Sequence, residues 1–223
     1  MAKIDSVLKT MREAGKMSEW KDKGDAGEEA ALQICLELQR KMGGMIYHSY
    51  QYPYQSDATG RIYTGNLKRE NGKLIEYTDS KKGLIDEIDV LYITAYRIFP
   101  IEVKAYHAKI DVYDHWVKKN GTEVDKSPIL QAEKHARHLY HALHPVLPDG
   151  KWNYIVPLCC FVDRCTVNDT RSPEFERYIE LCVLNNLKGT ILSLNTPLQY
   201  NLDLGEIKRK LNEKKTDCKA IYI

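Results

Sequence analysis

A chain of 223 residues with 43% hydrophobic content is long enough for one sizeable domain and requires no second. Lys and Arg number 33 against 31 Asp and Glu, a formal charge of +2 that excludes a protein basic over its whole surface. Any polyanion must therefore be held by a local patch or a metal.

The first residues, MAKIDSVLKTMREAGKMSEW, lack the apolar centre of a signal peptide, and no run approaches the roughly 18 apolar residues of a membrane span. The expectation is a soluble, cytoplasmic protein with no membrane partner. Residues 5–17 read as a short amphipathic helix, with Val7, Met11 and Ala14 on one side, in an N-terminal extension over 1–23. After KDKGD, the stretch AGEEAALQICLELQRKMGG predicts a stronger helix closed by Gly43-Gly44. Its apolar stripe is Ala31, Cys35, Leu38 and Met42. Three residues back from Ala31 stands Glu28, which continues the inward face, whereas Glu29 shares its side with Gln33, Glu37 and Arg40.

MIYHSYQYPY predicts a strand ending near Pro53, with Tyr50, Tyr52 and Tyr54 on one face by alternation, suited either to sheet packing or to stacking of bases. Residues 55–80 form a polar insertion in which Asn71-Gly72 signals a hairpin. Two apolar strands follow over 87–94 and 97–106, then a second Asn-Gly hairpin at Asn120-Gly121. In SPILQAEKHARHLYHAL, Ser127 is placed to cap a helix with Pro128 at its first position and a stripe of Ile129, Ala132, Ala136, Leu139 and Leu143. YIVPLCCFVD reads as a strand, SPEFERYIELCVLNNL as a helix and LDLGEIKRKLNEKK as a basic terminal helix. The central order is helix, strand, strand, strand, helix, strand, a mixed α/β domain whose sheet is covered by helices.

The 6 cysteines show no CxxC spacing and read as buried free thiols. His135, His138, His141 and His144 recur every three residues, a step that drifts around a helix, so a polar flank is favoured over a metal cluster.

Charge in unexpected places marks DEIDVLYITAYRIFPIEVKAY, residues 86–106. Unpaired charge inside a buried sheet costs several kcal/mol, so Asp89, Glu102 and Lys104 must be paired, metal-bound or at an edge. With a tight turn at Ala95-Tyr96, Asp89 falls directly opposite Glu102, where Cβ atoms lie about 5 Å apart and two carboxylates can share a divalent cation. Lys104 shares the face of Glu102, and Asp86, three residues from Asp89, faces away as a loop residue. A charged patch on a half-exposed sheet is the alternative.

Helix glutamate, strand aspartate, Glu-Val-Lys on the next strand and a glutamine-bearing helix together resemble the PD-(D/E)XK nuclease superfamily. More narrowly, GEEA, EIDVLYITAYRIFPIEVKA and SPILQAEKHARHL resemble the nuclease-related domain, or NERD, family over residues 24–145. Its pattern runs Gly-Glu, Ile-Asp, Ile-Glu-Val-Lys and Asn-Pro-x-x-Gln-x-x-x-His. Ser127 stands where the family commonly has Asn, and the 55–80 insertion has no placed counterpart.

The resemblance implies a restriction-endonuclease-like core over 24–165, an extension over 166–223 packed on it, and hydrolysis of DNA phosphodiesters, with RNA not excluded. Its implied site is Glu28, Asp89, Glu102 and Lys104, with Gln131 beside it. Mg²⁺, or Mn²⁺, would be held by Asp89, Glu102 and the Val103 carbonyl, since hard cations take oxygen ligands. Lys109, Lys118, Lys119, Lys134 and Arg137 are candidates for phosphate contacts, and His135 for orienting substrate. A non-catalytic nucleic-acid-binding module, or an assembly domain using the terminal helices, are the competing readings. A homodimer is left open.

Overall fold

The computed structural model describes residues 20–53, 67–70, 73–76, 85–124, 127–162, 165–173 and 179–223. The helix expected over 5–17, most of the 55–80 insertion and Tyr54 lie outside these residues.

A six-stranded sheet forms the centre, in the order β11-β9-β5-β4-β1-β12. Its strands are β1 (Met45–Pro53), β4 (Ile85–Ile93), β5 (Ile98–Lys104), β9 (Leu158–Phe161), β11 (Glu180–Val183) and β12 (Ala220–Tyr222). β5, β9 and β11 run parallel, and the remaining neighbours antiparallel. One face carries α1 (Trp20–Met42) and α3 (Leu184–Leu194); the other carries α2 (Pro128–Leu143) and α4 (Leu204–Lys214). A second sheet, β10 (Thr166–Asp169), β6 (Lys109–Val112), β7 (Val117–Lys119) and β8 (Thr122–Glu123), lies against Phe161, Ile129 and Ala132. The architecture is the mixed α/β expected, consistent with a restriction-endonuclease-like core.

Local chemistry accounts for the elements that frame the site. α1 buries Ala31, Cys35 and Leu38 along its stripe and ends where Gly43, at φ 71°, returns its amide to the Gln39 carbonyl at 2.8 Å. It starts at Trp20, earlier than its apolar pattern suggests. Glu28 therefore stands more than two turns inside, out of reach of the helix's N-terminal dipole.

The β4–β5 turn is set by Thr94. Its hydroxyl accepts the amides of Tyr96 and Arg97 and donates to Asn195 Oδ1 at 2.6 Å. The resulting ladder pairs Ile93 with Ile98 and Val90 with Ile101, the register expected from a turn at Ala95-Tyr96. The two-stranded ladder of β2 (Leu67–Glu70) and β3 (Lys73–Glu76) brackets Asn71-Gly72 as the hairpin signal requires. Asn120 and Gly121, both at positive φ, turn β7 into β8.

Two expectations change, and one pair of alternatives is decided. ELCV in the stretch read as a helix is β11, recruited as a parallel strand beside β9, and a helix follows it from Leu184. Asp86 lies within β4, not in a loop. Tyr50 and Tyr52 are fully buried, with the Tyr50 hydroxyl donating to the Leu211 carbonyl, so they pack the sheet and offer no platform for bases.

Candidate active site

β4 and β5 separate beyond Val90 and Ile101, and the candidate residues gather at that opening. Alternation breaks there. Ile88 joins Leu91 and Ile93 in the core under α2, while Val90 and Tyr92 face α1. The β1–β4 ladder likewise skips the Ser49–Asp89 position, where Ser49 adopts φ 53°. The β4–β5 ladder ends at Val90–Ile101, so Asp89 and Glu102 are not paired across it. Asp89 Oδ2 enters the opening and accepts the Val103 amide at 2.7 Å, satisfying a backbone donor that the ladder has released.

Two groups of charge result. On the α1 side, carboxylate oxygens of Glu28, Glu87 and Asp89 all lie within 4.8 Å of one another. Glu87 also accepts the Gln51 amide nitrogen at 2.7 Å, and Lys219 Nζ stands 3.8 Å from Glu28 Oε2. α1 comes close enough to bring Glu28 here because residue 27 is glycine: a Cβ on it would stand 2.5 Å from Val162 Cγ2. On the α2 side, Glu102 is 2% exposed and fully engaged, with Oε1 on the Lys104 ammonium and Oε2 2.8 Å from His135 Nε2. His135, 1% exposed, meets the Tyr52 hydroxyl through Nδ1 at 2.8 Å, and that hydroxyl lies 3.3 Å from Asp86 Oδ2. Asp86 is in turn paired with Lys134.

The electrostatics follow from this division. Burial pushes the Asp89 carboxyl well above its usual range, with the nearby Glu102 charge adding to it and Lys104 opposing. Burial also raises Glu28, Lys219 opposing and Asp25, Glu87 and Glu102 adding. Burial would raise Glu102 too, but Lys104 and His135 outweigh it and hold the carboxyl at about 2. Lys104 is desolvated, yet Glu102 and Asp89 raise its pKa and keep it charged. Three close carboxylate oxygens carrying two elevated pKa values are a donor set that a hard divalent cation relieves, so the residues fit such an ion.

The family model described as the nuclease-related domain matches residues 23–162, more than half of the chain. The chain belongs to the nuclease-related domain family. No curated protein and no solved structure matches it. Family membership supports a nuclease-related function, a nucleic-acid substrate and use of a divalent metal. Among the described residues no helix is long and apolar enough to cross a membrane.

Of the residues the NERD resemblance singled out, the fold brings Glu28, Asp89, Glu102, Val103 and Lys104 to one opening. Gln131 is half-buried one turn before His135, on the same side of α2. Ser127 occupies the cap position of α2 without a side-chain hydrogen bond to the helix. Of the proposed phosphate contacts, Lys109 pairs with Asp111, Lys134 with Asp86 and Arg137 with Glu133. Lys118 lies over Tyr113 and Trp116, and Lys119 over Tyr106.

Glu87 was missed by the sequence reading. Its signal was available, since it stands two residues before Asp89 on the same strand. His135, on the border of the apolar stripe, faces Glu102 from inside the core.

Proposed function

We propose that this protein is a metal-dependent nuclease that hydrolyses DNA phosphodiester bonds at the opening between β4 and β5, in the cytoplasm. The observation that carries the reading is the convergence of the Glu28–Glu87–Asp89 carboxylates with a charged Lys104 beside them. Mg²⁺ or Mn²⁺ would be held by Asp89 with Glu28 and Glu87, and by Glu102 and the Val103 carbonyl. In an extended strand the N–H and C=O of a residue point the same way. With the Val103 amide on Asp89, its carbonyl opens toward the same side.

Such an ion supplies polarisation of a phosphoryl oxygen and a lowered pKa for the attacking water. Lys104, kept charged by Glu102 and Asp89, acts as a cation that offsets negative charge growing on the phosphate, rather than as a base. Asp89 fixes the Val103 backbone, and Glu102 anchors the Lys104 ammonium. Gln131, on the His135 side of α2, contacts the substrate strand.

Cleavage of linear, circular, single-stranded and branched DNA and of RNA, with Mg²⁺, Mn²⁺ or EDTA, tests the reading in wild type and Glu102→Ala. Metal-dependent cutting that falls by about 10²-fold or more in the variant is expected. A second reading, a nucleic-acid-binding module that does not cut, is favoured by one observation: both oxygens of Glu102 are already occupied. Binding to the panel without cutting by wild type would establish that reading instead.

A further inference from the structure

We infer that His135 is a positioning residue, seated on Tyr52, that fixes the orientation of the Glu102 carboxylate and through it the place of Lys104 beside Asp89. The inference rests on the nuclease reading and deepens it.

The argument begins with burial. At 2% and 1% exposure, Glu102 and His135 have no bulk water to replace a lost partner, so the orientation of the carboxylate is decided by protein donors alone. Those donors are Lys104 on Oε1 and His135 on Oε2. An ionised carboxylate only accepts, so Nε2 of His135 must carry a hydrogen. At the other ring nitrogen, His135 Nδ1 meets the Tyr52 hydroxyl at 2.8 Å, and that hydroxyl donates to Asp86 Oδ2 at 3.3 Å. Asp86 also receives the Lys134 ammonium. Tyr52 thus holds the ring at Nδ1, so that Nε2 and its hydrogen stay on Glu102.

Tyr52 itself has no room to turn. His138 stacks on its ring with centroids 3.5 Å apart, and Tyr50 lies on it at 6.1 Å. The chain Lys134–Asp86–Tyr52–His135–Glu102–Lys104 is therefore held at both ends by ion pairs and in the middle by packed rings. Partners that orient a metal-site carboxylate in this way typically cost 10–100-fold in metal affinity when removed.

Mn²⁺ binding by isothermal titration, run with DNA cleavage on the same preparations, tests the proposal in wild type, His135→Phe, His135→Gln and Tyr52→Phe. Expected are a loss of Mn²⁺ affinity of about 10-fold or more in His135→Phe, a smaller loss in Tyr52→Phe, which keeps the stacked ring, and partial rescue in His135→Gln, which retains an N–H donor. In wild type, ¹⁵N resonances of His135 should show the hydrogen on Nε2. Folded variants that bind Mn²⁺ as wild type does would overturn the inference, even if their melting temperatures fall, and would leave the nuclease reading intact. Weakened Mn²⁺ binding in the variants of a wild type that never cuts would uphold the positioning role and overturn the nuclease reading. A wild type that binds no Mn²⁺ would overturn both.

Discussion

His138 lies buried at 6% exposure with neither ring nitrogen hydrogen-bonded, flat against Tyr52. Burial, aided by the charges of His135, His141 and Lys214, lowers its pKa from 6.5 to about 3. The unfolded chain therefore takes up this proton first, and stability falls as pH drops from 6.5 towards 3, by about 1.4 kcal/mol per unit. His138→Phe keeps a ring on Tyr52 and removes the proton site. At pH 5 the variant should gain about 2 kcal/mol relative to wild type, compared with their difference at pH 7.5. Denaturant melts at the two pH values check this, and an unchanged difference would refute it. Glu102 has the opposite charge type but the same sign of effect. Its stabilisation is complete above about 4.5 and is lost toward 2, so pH 5 separates the two groups.

Two glycines do different work, Gly27 inside α1 and Gly44 just past its end. Gly44 sits at φ 101°, and a Cβ there would stand 2.2 Å from the Ile93 carbonyl oxygen, a backbone atom that cannot turn aside. Gly44→Ala should cost about 2–4 kcal/mol in a denaturant melt, through strain at the entry to β1. Gly27→Ala meets a side-chain methyl of Val162 instead, and alanine favours helix by up to about 1 kcal/mol. The melt of this variant should change by less than that of Gly44→Ala, whereas its cleavage rate should fall because α1 and Glu28 are pushed from the opening. Equal losses of stability with cleavage unchanged would contradict the role given to Gly27. The paired Gly-Glu of the family pattern thus has a physical basis, in which the first residue admits the helix and the second supplies the carboxylate.

The family match ends at residue 162, but the core does not. The cluster under α1 includes Leu184, Leu187 and Ile191, and the cluster under α2 includes Leu202, Ile207 and Leu211. Burying six such side chains contributes about 9–18 kcal/mol, as large as the whole net stability of a typical domain, about 5–15 kcal/mol. A chain stopped at residue 162 should therefore show no cooperative thermal transition by circular dichroism. A cooperative melt close to that of the full chain would show that the matched region folds alone. The later segment also reaches the candidate site, through Lys219 at the start of β12 beside Glu28.

The sequence by itself determined the features that depend on neighbours along the chain. The inward face of α1, the Ala95-Tyr96 turn, the Asn120-Gly121 hairpin, the Pro128 start of α2 and the burial of Cys35, Cys159, Cys160 and Cys182, though not of the half-buried Cys165 and Cys218, follow from periodicity and local backbone preference, which act within a few residues. It also carried the order of motifs by which the family is recognised. Only the tertiary structure decided where the charges go. The break in alternation at Asp89 and Ser49 arises between two strands, the pairing of Glu102 with His135 joins residues 33 apart, and β11 became a strand because β9 offered an edge. A strand's period of two predicts faces only while the ladder is regular, and the site forms where the ladder opens.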